Sequence, residues 1–127
     1  MQITGGADYY MNKRKKGAEY EQLAANYLRK QGVTVLEINF RNRIGEIDLI
    51  CTDNEYLVFI EVKYRKDNSK GTPEEAVNYK KQKNICKVAD YYRMIHKISE
   101  FTAVRYDVIA ICGDDIVWHK NAFEHIW

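Results

Sequence analysis

The chain of 127 residues contains no run of about 18 apolar residues, so no membrane-spanning helix is expected. Basic residues near its N-terminus are followed by no apolar segment, so a secretory signal is not expected either. Cysteine is scarce: Cys51, Cys86 and Cys112 are odd in number and show no CxxC spacing. That excludes a disulfide framework and reads as reduced, mostly buried thiols in a cytoplasmic protein. His96, His119 and His125 do not stand at ligand spacing from the cysteines, which argues against structural zinc. Repeats and low-complexity segments are absent. What is present is 46% hydrophobic and 30% charged residues, enough to fill one core and stay soluble.

The net charge of +2 hides an uneven distribution. Residues 11–43 carry eight Lys/Arg against three acids, and residues 61–87 carry eight against four. Residues 44–60 carry four acids, Glu46, Asp48, Asp53 and Glu55, and no Lys or Arg. An acidic segment between two basic ones fits a cation-binding centre ringed by phosphate contacts, or simply a solvated surface. Charge alone favours the second.

Residues 1–10 show no period and read as an extension of a single domain spanning 11–127. "KRKK" (13–16) is a basic arm. From Gly17 the pattern is helical, with Tyr20, Leu23, Ala24, Tyr27 and Leu28 as the apolar stripe and Gly32 as the C-cap. Glu19, in the first turn, suits the helix dipole. Strands are expected at 33–42, 46–52 and 56–65, the last two apolar on both faces and therefore central in a covered sheet. The only proline, Pro73, suits the first turn of a second helix capped by Thr72, with Glu74 and Glu75 following. That helix runs to about Ile95, with Ala76, Val77, Ile85, Val88, Ala89 and Tyr92 turned inward. A strand at 102–112 and a last short one complete an α/β domain: a central mixed β-sheet flanked by helices.

Within the second and third strands stand Asp48, Glu61 and Lys63. Charges buried without partners cost several kcal/mol or shift their pKa, so their presence needs a cause. A four-residue loop, Asp53 to Tyr56, puts Thr52 opposite Leu57 and Asp48 opposite Glu61. Two carboxylates at that range repel unless a cation lies between them, and Mg²⁺ takes carboxylates readily. Lys63 projects beside Glu61 and is placed to hold a water or oppose developing charge. The same residues also suit a structural ion pair, Asp48–Lys63 or Glu61–Lys63.

A helix with an early Glu, then "GEIDLI", then "FIEVKYR", then a Lys-rich helix resembles the YraN family of bacterial proteins. That family in turn resembles the Holliday junction resolvases of the PD-(D/E)XK nuclease superfamily. The resemblance covers roughly residues 11–118. It implies a restriction-endonuclease-like core of order α-β-β-β-α-β. It also implies Mg²⁺ or Mn²⁺ held by Asp48, Glu61, the Val62 backbone carbonyl and Glu19, with Lys63 as the active-site lysine. Ile47 stands where the superfamily pattern has proline. Lys81 or Gln82 matches a polar residue of the second helix. Glu46 is a candidate outer carboxylate, and Asp107 a structural one paired with a basic neighbour. Arg41, Arg43, Arg65, Lys66 and Lys70 are candidates for phosphate contacts, which position DNA without reading its sequence.

The implied activity is a metal-dependent endonuclease selective for junctions, flaps or ends, cytoplasmic, with DNA as partner and a homodimer as the form suited to a junction. Two other readings stay open. One is a catalytically silent nucleic-acid-binding or assembly module of the same fold. The other is an adaptor in which the hairpin charges form a structural ion-pair cluster.

Overall fold

The computed structural model describes residues 5–65 and 77–127, with side chains from residue 15 onward within these ranges. In chain order the elements are α1 (Gly5–Lys30), β1 (Thr34–Arg41), β2 (Glu46–Asp53), β3 (Tyr56–Arg65), α2 (Tyr79–Ile95), β4 (Val104–Cys112) and β5 (Asp115–Phe123). The strands form one five-stranded sheet in the order β1-β2-β3-β4-β5. All neighbours are antiparallel except β3 and β4, which run parallel. A parallel pair needs a crossover, and α2 lies within it. The expected mixed sheet flanked by helices is therefore present, with β5 added to the α-β-β-β-α-β core.

Each helix covers one face. Side chains alternate along a strand, so β3 sends Val58 and Ile60 toward α1, and Leu57 and Phe59 toward α2. Ala24, Ala25 and Leu28 of α1 pack with Leu49, Cys51, Ile109 and Ile111. Ile85, Cys86, Val88, Ala89 and Tyr92 of α2 pack with Ile47, Ile50, Tyr106 and Val108. Buried on both sides, β2 and β3 are the apolar central strands that their sequences suggest.

Several expectations need correction. Helix α1 starts at Gly5, not Gly17. Its buried stripe is Ala24, Ala25 and Leu28, while Leu23 is 49% exposed. Of the expected stripe, Ala24 and Leu28 are fully buried and Tyr20 and Tyr27 pack part-buried against the same cluster, so only Leu23 is out of place, with Ala25 in its stead. Alanines mark the real contact, because a small side chain lets the helix backbone approach the sheet. The stop is as expected: Gly32, at φ 88°, donates to Arg29 O, and Val33 N donates to Leu28 O at 3.0 Å, the paired bonds of a left-handed C-cap. Helix α2 starts at Tyr79, capped by the Asn78 side chain, which accepts from Lys81 N. Thr72, Pro73, Glu74, Glu75 and Ala76 lie outside the described residues. Among the described residues no helix is long and apolar enough to cross a membrane.

Asp107, fully buried on β4, anchors the hairpin end of the sheet. It accepts from Arg105 Nε and Nη2 (both 2.9 Å), Trp118 Nε1 (2.8 Å) and the Asn121 amide (2.8 Å). Arg105 Nη2 also reaches Asp53 Oδ2 at 2.9 Å. The expected pairing of Asp107 with a basic neighbour is present, and every strong acceptor position is met. Asp107→Ala should destabilise the fold by about 3–5 kcal/mol, since it strands a buried guanidinium and two N–H donors. Urea unfolding monitored by Trp118 fluorescence checks this; a loss below about 1 kcal/mol would mean the network is not holding the sheet.

Candidate functional site

The β2–β3 ladder pairs Asp53 with Tyr56, Thr52 with Leu57 and Leu49 with Ile60, the register that sets Asp48 against Glu61. Asn54, at φ 55°, makes the tight turn. Regular pairing stops at Leu49–Ile60, and there the strands part. The Val62 amide, which would otherwise look for a strand partner, donates instead to Asp48 Oδ2 at 2.8 Å. Asp48 is 9% exposed and Glu61 4%.

Glu61 projects toward α2. Its Oε2 lies 3.6 Å from Lys81 Nζ and 3.8 Å from Lys63 Nζ, ion-pair distances rather than close hydrogen bonds. Its Oε1 is buried without a hydrogen-bond partner. Gln82 is spent elsewhere, donating to Val77 O at 2.7 Å. Of the two α2 candidates, Lys81 is therefore the one that reaches the centre.

The helix acid is Glu21 and not Glu19. Glu19 stands exposed on the outer surface of α1. Glu21 lies three, four and seven residues before Ala24, Ala25 and Leu28, so it shares their buried face. Reading the alanines as the contact stripe would have identified it. Asp48 lies between Glu21 and Glu61 and its charge acts on both, which makes a line of three acids. Asn39, held at φ 59° in β1 across from Asp48, lines a cavity together with Glu21.

Burial, then the charge of Asp48, pushes the Glu61 carboxyl up to about 8; the two lysines offset this only in part. Burial, with the charges of Asp48 and Glu46, pushes Glu21 up to about 7. Glu21 and Glu61 thus both hold a proton more readily than an ordinary carboxyl does. Among the described residues, no three His, Cys, Asp or Glu are gathered tightly enough to hold a metal by themselves.

A cavity of about 500 Å³ opens onto the centre, lined by Lys16, Tyr20, Glu21, Asp48, Glu61 and Tyr64, with Val62 at its wall. A second, of about 320 Å³, lies on the other side of Glu21 against Asn39, Arg41 and Glu46. Arg41 pairs with Glu46 at 3.3 Å and donates to Asn39 at 2.6 Å. It braces the outer carboxylates rather than facing solvent alone. Arg43 is exposed in the β1–β2 turn, and Arg65 ends β3. Lys66 and Lys70 lie outside the described residues.

The model of the uncharacterised protein family UPF0102 matches residues 20–111. The chain belongs to this family. A UPF0102 protein of Lachnoclostridium phytofermentans is 46% identical over 114 residues, covering 90% of this chain and 97% of that one. Relatives in Fusobacterium nucleatum (41% identical; 87% and 92% covered) and Vibrio cholerae (42%; 89% and 95%) carry the same family description. The matched span takes in Glu21, Asp48, Glu61, Lys63 and Lys81, the whole of the centre just described.

The acid cluster makes stability fall as pH rises. Raised folded-state values mean that the folded protein keeps protons which the unfolded chain releases from about pH 4.5 upward. This contribution is full below that pH and lost as pH climbs through about 8. Glu61→Gln should accordingly be more stable than wild type at pH 9, with the gap closing toward pH 5. Urea midpoints at both pH values decide it. If Glu61→Gln is instead weaker at pH 9, the lysines outweigh the acids and the centre is a structural ion-pair cluster.

Proposed function

We propose that the protein is a divalent-metal-dependent nuclease, hydrolysing phosphodiester bonds in DNA at junctions, flaps or ends. The observation that carries this reading is the line Glu21–Asp48–Glu61: three mutually repelling acids at a solvent-open cavity, with lysines beside them and one buried carboxylate oxygen unpartnered. A scaffold gains nothing from such crowding. A cation-binding site does.

The donor set fits Mg²⁺ or Mn²⁺. These ions prefer hard oxygens, and Mg²⁺ commonly takes only one or two carboxylates while keeping several waters. Asp48 and Glu61 would hold the ion, with Glu21 behind Asp48 and the Val62 carbonyl as a further oxygen, so a tight three-residue protein cluster is not required. When bound, the ion would polarise a phosphodiester and lower the pKa of a water.

The chain's own groups do the rest. Lys63, its side chain 36% exposed, is placed to donate to a water or a phosphoryl oxygen while Lys81 balances Glu61. Arg43 and Arg65 at the strand ends suit contacts to the flanking backbone, which position DNA without reading it. No further element of the described residues has the form of a base-reading helix, so selectivity would rest on the shape of the DNA. A homodimer would suit a junction with two symmetric strands.

Titration of Mg²⁺ or Mn²⁺ into wild type and Asp48→Asn by calorimetry tests the site, followed by four-way, flapped and linear DNA. Wild type should bind the ion and release protons at pH 7, seen as an enthalpy that depends on the buffer. It should cleave branched DNA, and Asp48→Asn should lose at least about 100-fold, a loss that perturbing even an outer partner of a metal site can cause. Ion uptake without cleavage would make the protein a binding module of the same fold. No uptake would remove the metal reading altogether.

A further inference from the structure

Tyr20 of α1 and Tyr64 of β3 are stacked at the rim of the cavity, ring centroids 4.4 Å apart and planes 11° from parallel. Neither was singled out by the sequence except as apolar filling. Yet the pair is not core: Tyr64 is 44% exposed. A rigid aromatic ring, part-buried by its mate and open to solvent beside an acid cluster, has the form of a stacking platform.

The same 500 Å³ cavity runs from the tyrosines to Asp48 and Glu61, with Lys16 on its wall. Its two ends differ in what they accept. The acid end repels a bare phosphate and receives one only with a cation. The aromatic end has no charge to offer and suits a flat, apolar face. A nucleotide satisfies both when its phosphate points to the acids and its base lies on Tyr64. A base inside continuous duplex cannot do this, because both its faces are already covered by neighbours; only an unpaired or terminal base can.

Resting on the nuclease reading above, we infer that the Tyr20–Tyr64 pair is a subsite for an unpaired base, placing the adjoining phosphate at the acid cluster. The substrate class narrows accordingly to DNA with an unpaired nucleotide at the cut: a flap, gap or opened branch point rather than a closed duplex. Tyr64 is the contact residue. Tyr20 positions it.

The test uses an oligonucleotide duplex carrying one unpaired 2-aminopurine, whose fluorescence is quenched by stacking, with Ca²⁺ supplied in place of Mg²⁺ or Mn²⁺ as the hard cation at the acids and any cleavage scored on the same sample. Wild type should quench the unpaired probe and leave the already low fluorescence of the same base unchanged when paired. Tyr64→Phe should behave as wild type. Tyr64→Leu, checked for folding by circular dichroism, should lose the quench and about 10-fold or more in affinity for the unpaired probe, while duplex affinity is unchanged. Equal quenching by wild type and Tyr64→Leu, or equal affinity for paired and unpaired probes, overturns the subsite and leaves the nuclease reading standing. Cleavage of branched DNA that is insensitive to Tyr64→Leu does the same. Absence of any DNA binding by wild type overturns both.

Discussion

One hydrogen bond organises this molecule's centre: the Val62 amide donating to Asp48 at 2.8 Å. It stands where β2 and β3 stop pairing, and it replaces a ladder bond with a side-chain bond. A buried amide must find an acceptor, so the carboxylate is fixed as firmly as the strand itself. Fixing Asp48 brings Glu61 against it from β3 and Glu21 against it from α1. Once the strands part, a gap opens between sheet and helix, and the cavity lies there. Centre and cavity follow from a single exchange of hydrogen-bond partners.

Two buried acids of the same sheet, Asp107 and Glu61, show what is unusual here. Asp107 is surrounded by donors: a guanidinium, an indole N–H and a backbone amide within 3 Å. Such a carboxylate is finished, and its removal only subtracts. Glu61 faces two ammonium groups beyond hydrogen-bonding distance, a second acid, and nothing at all on Oε1. The protein can plainly build a fully compensated buried acid, and at Glu61 it does not. The difference is one of design within one fold, independent of any general expectation about buried charge.

Much of this was legible in the sequence, for definite reasons. Strand parity is discrete, so the Asp53–Tyr56 turn fixed which residues oppose which, and Asp48 against Glu61 followed. Apolar runs on both faces marked β2 and β3 as central. Helix facing is continuous, and there the reading slipped. The expected stripe of α1 holds except at Leu23, whose place on the buried face is taken by the small Ala25. A small rotation carried the acid from Glu19 to Glu21. The expected cap at Thr72 and Pro73 lies outside the described residues, and Asn78 caps the helix that carries Lys81. Long-range choices such as Lys81 over Gln82 depend on how α2 lies on the sheet, which no local pattern encodes.

The arrangement also bears on how stability is distributed. At the hairpin end, Asp107, Arg105 and Asp53 lock β2, β4 and β5 together, and cation–π contacts of Arg105 with Tyr56 and Trp118 cover the lock. At the opposite end of β3 the acids push apart and the strands diverge. Rigid at one end and electrostatically strained at the other, the sheet can carry a poorly compensated centre without losing its register, because the register is set far from the repulsion. The centre is then free to respond to what enters the cavity: a proton relieves the repulsion, and so would a cation. On the proposed metal reading, proton and cation would compete for the site, so cation uptake would weaken as pH falls below the raised values of Glu61 and Glu21. The acid crowding that costs the protein stability at high pH is thus the same feature that an entering cation would relieve, and the two cannot be separated by changing one residue.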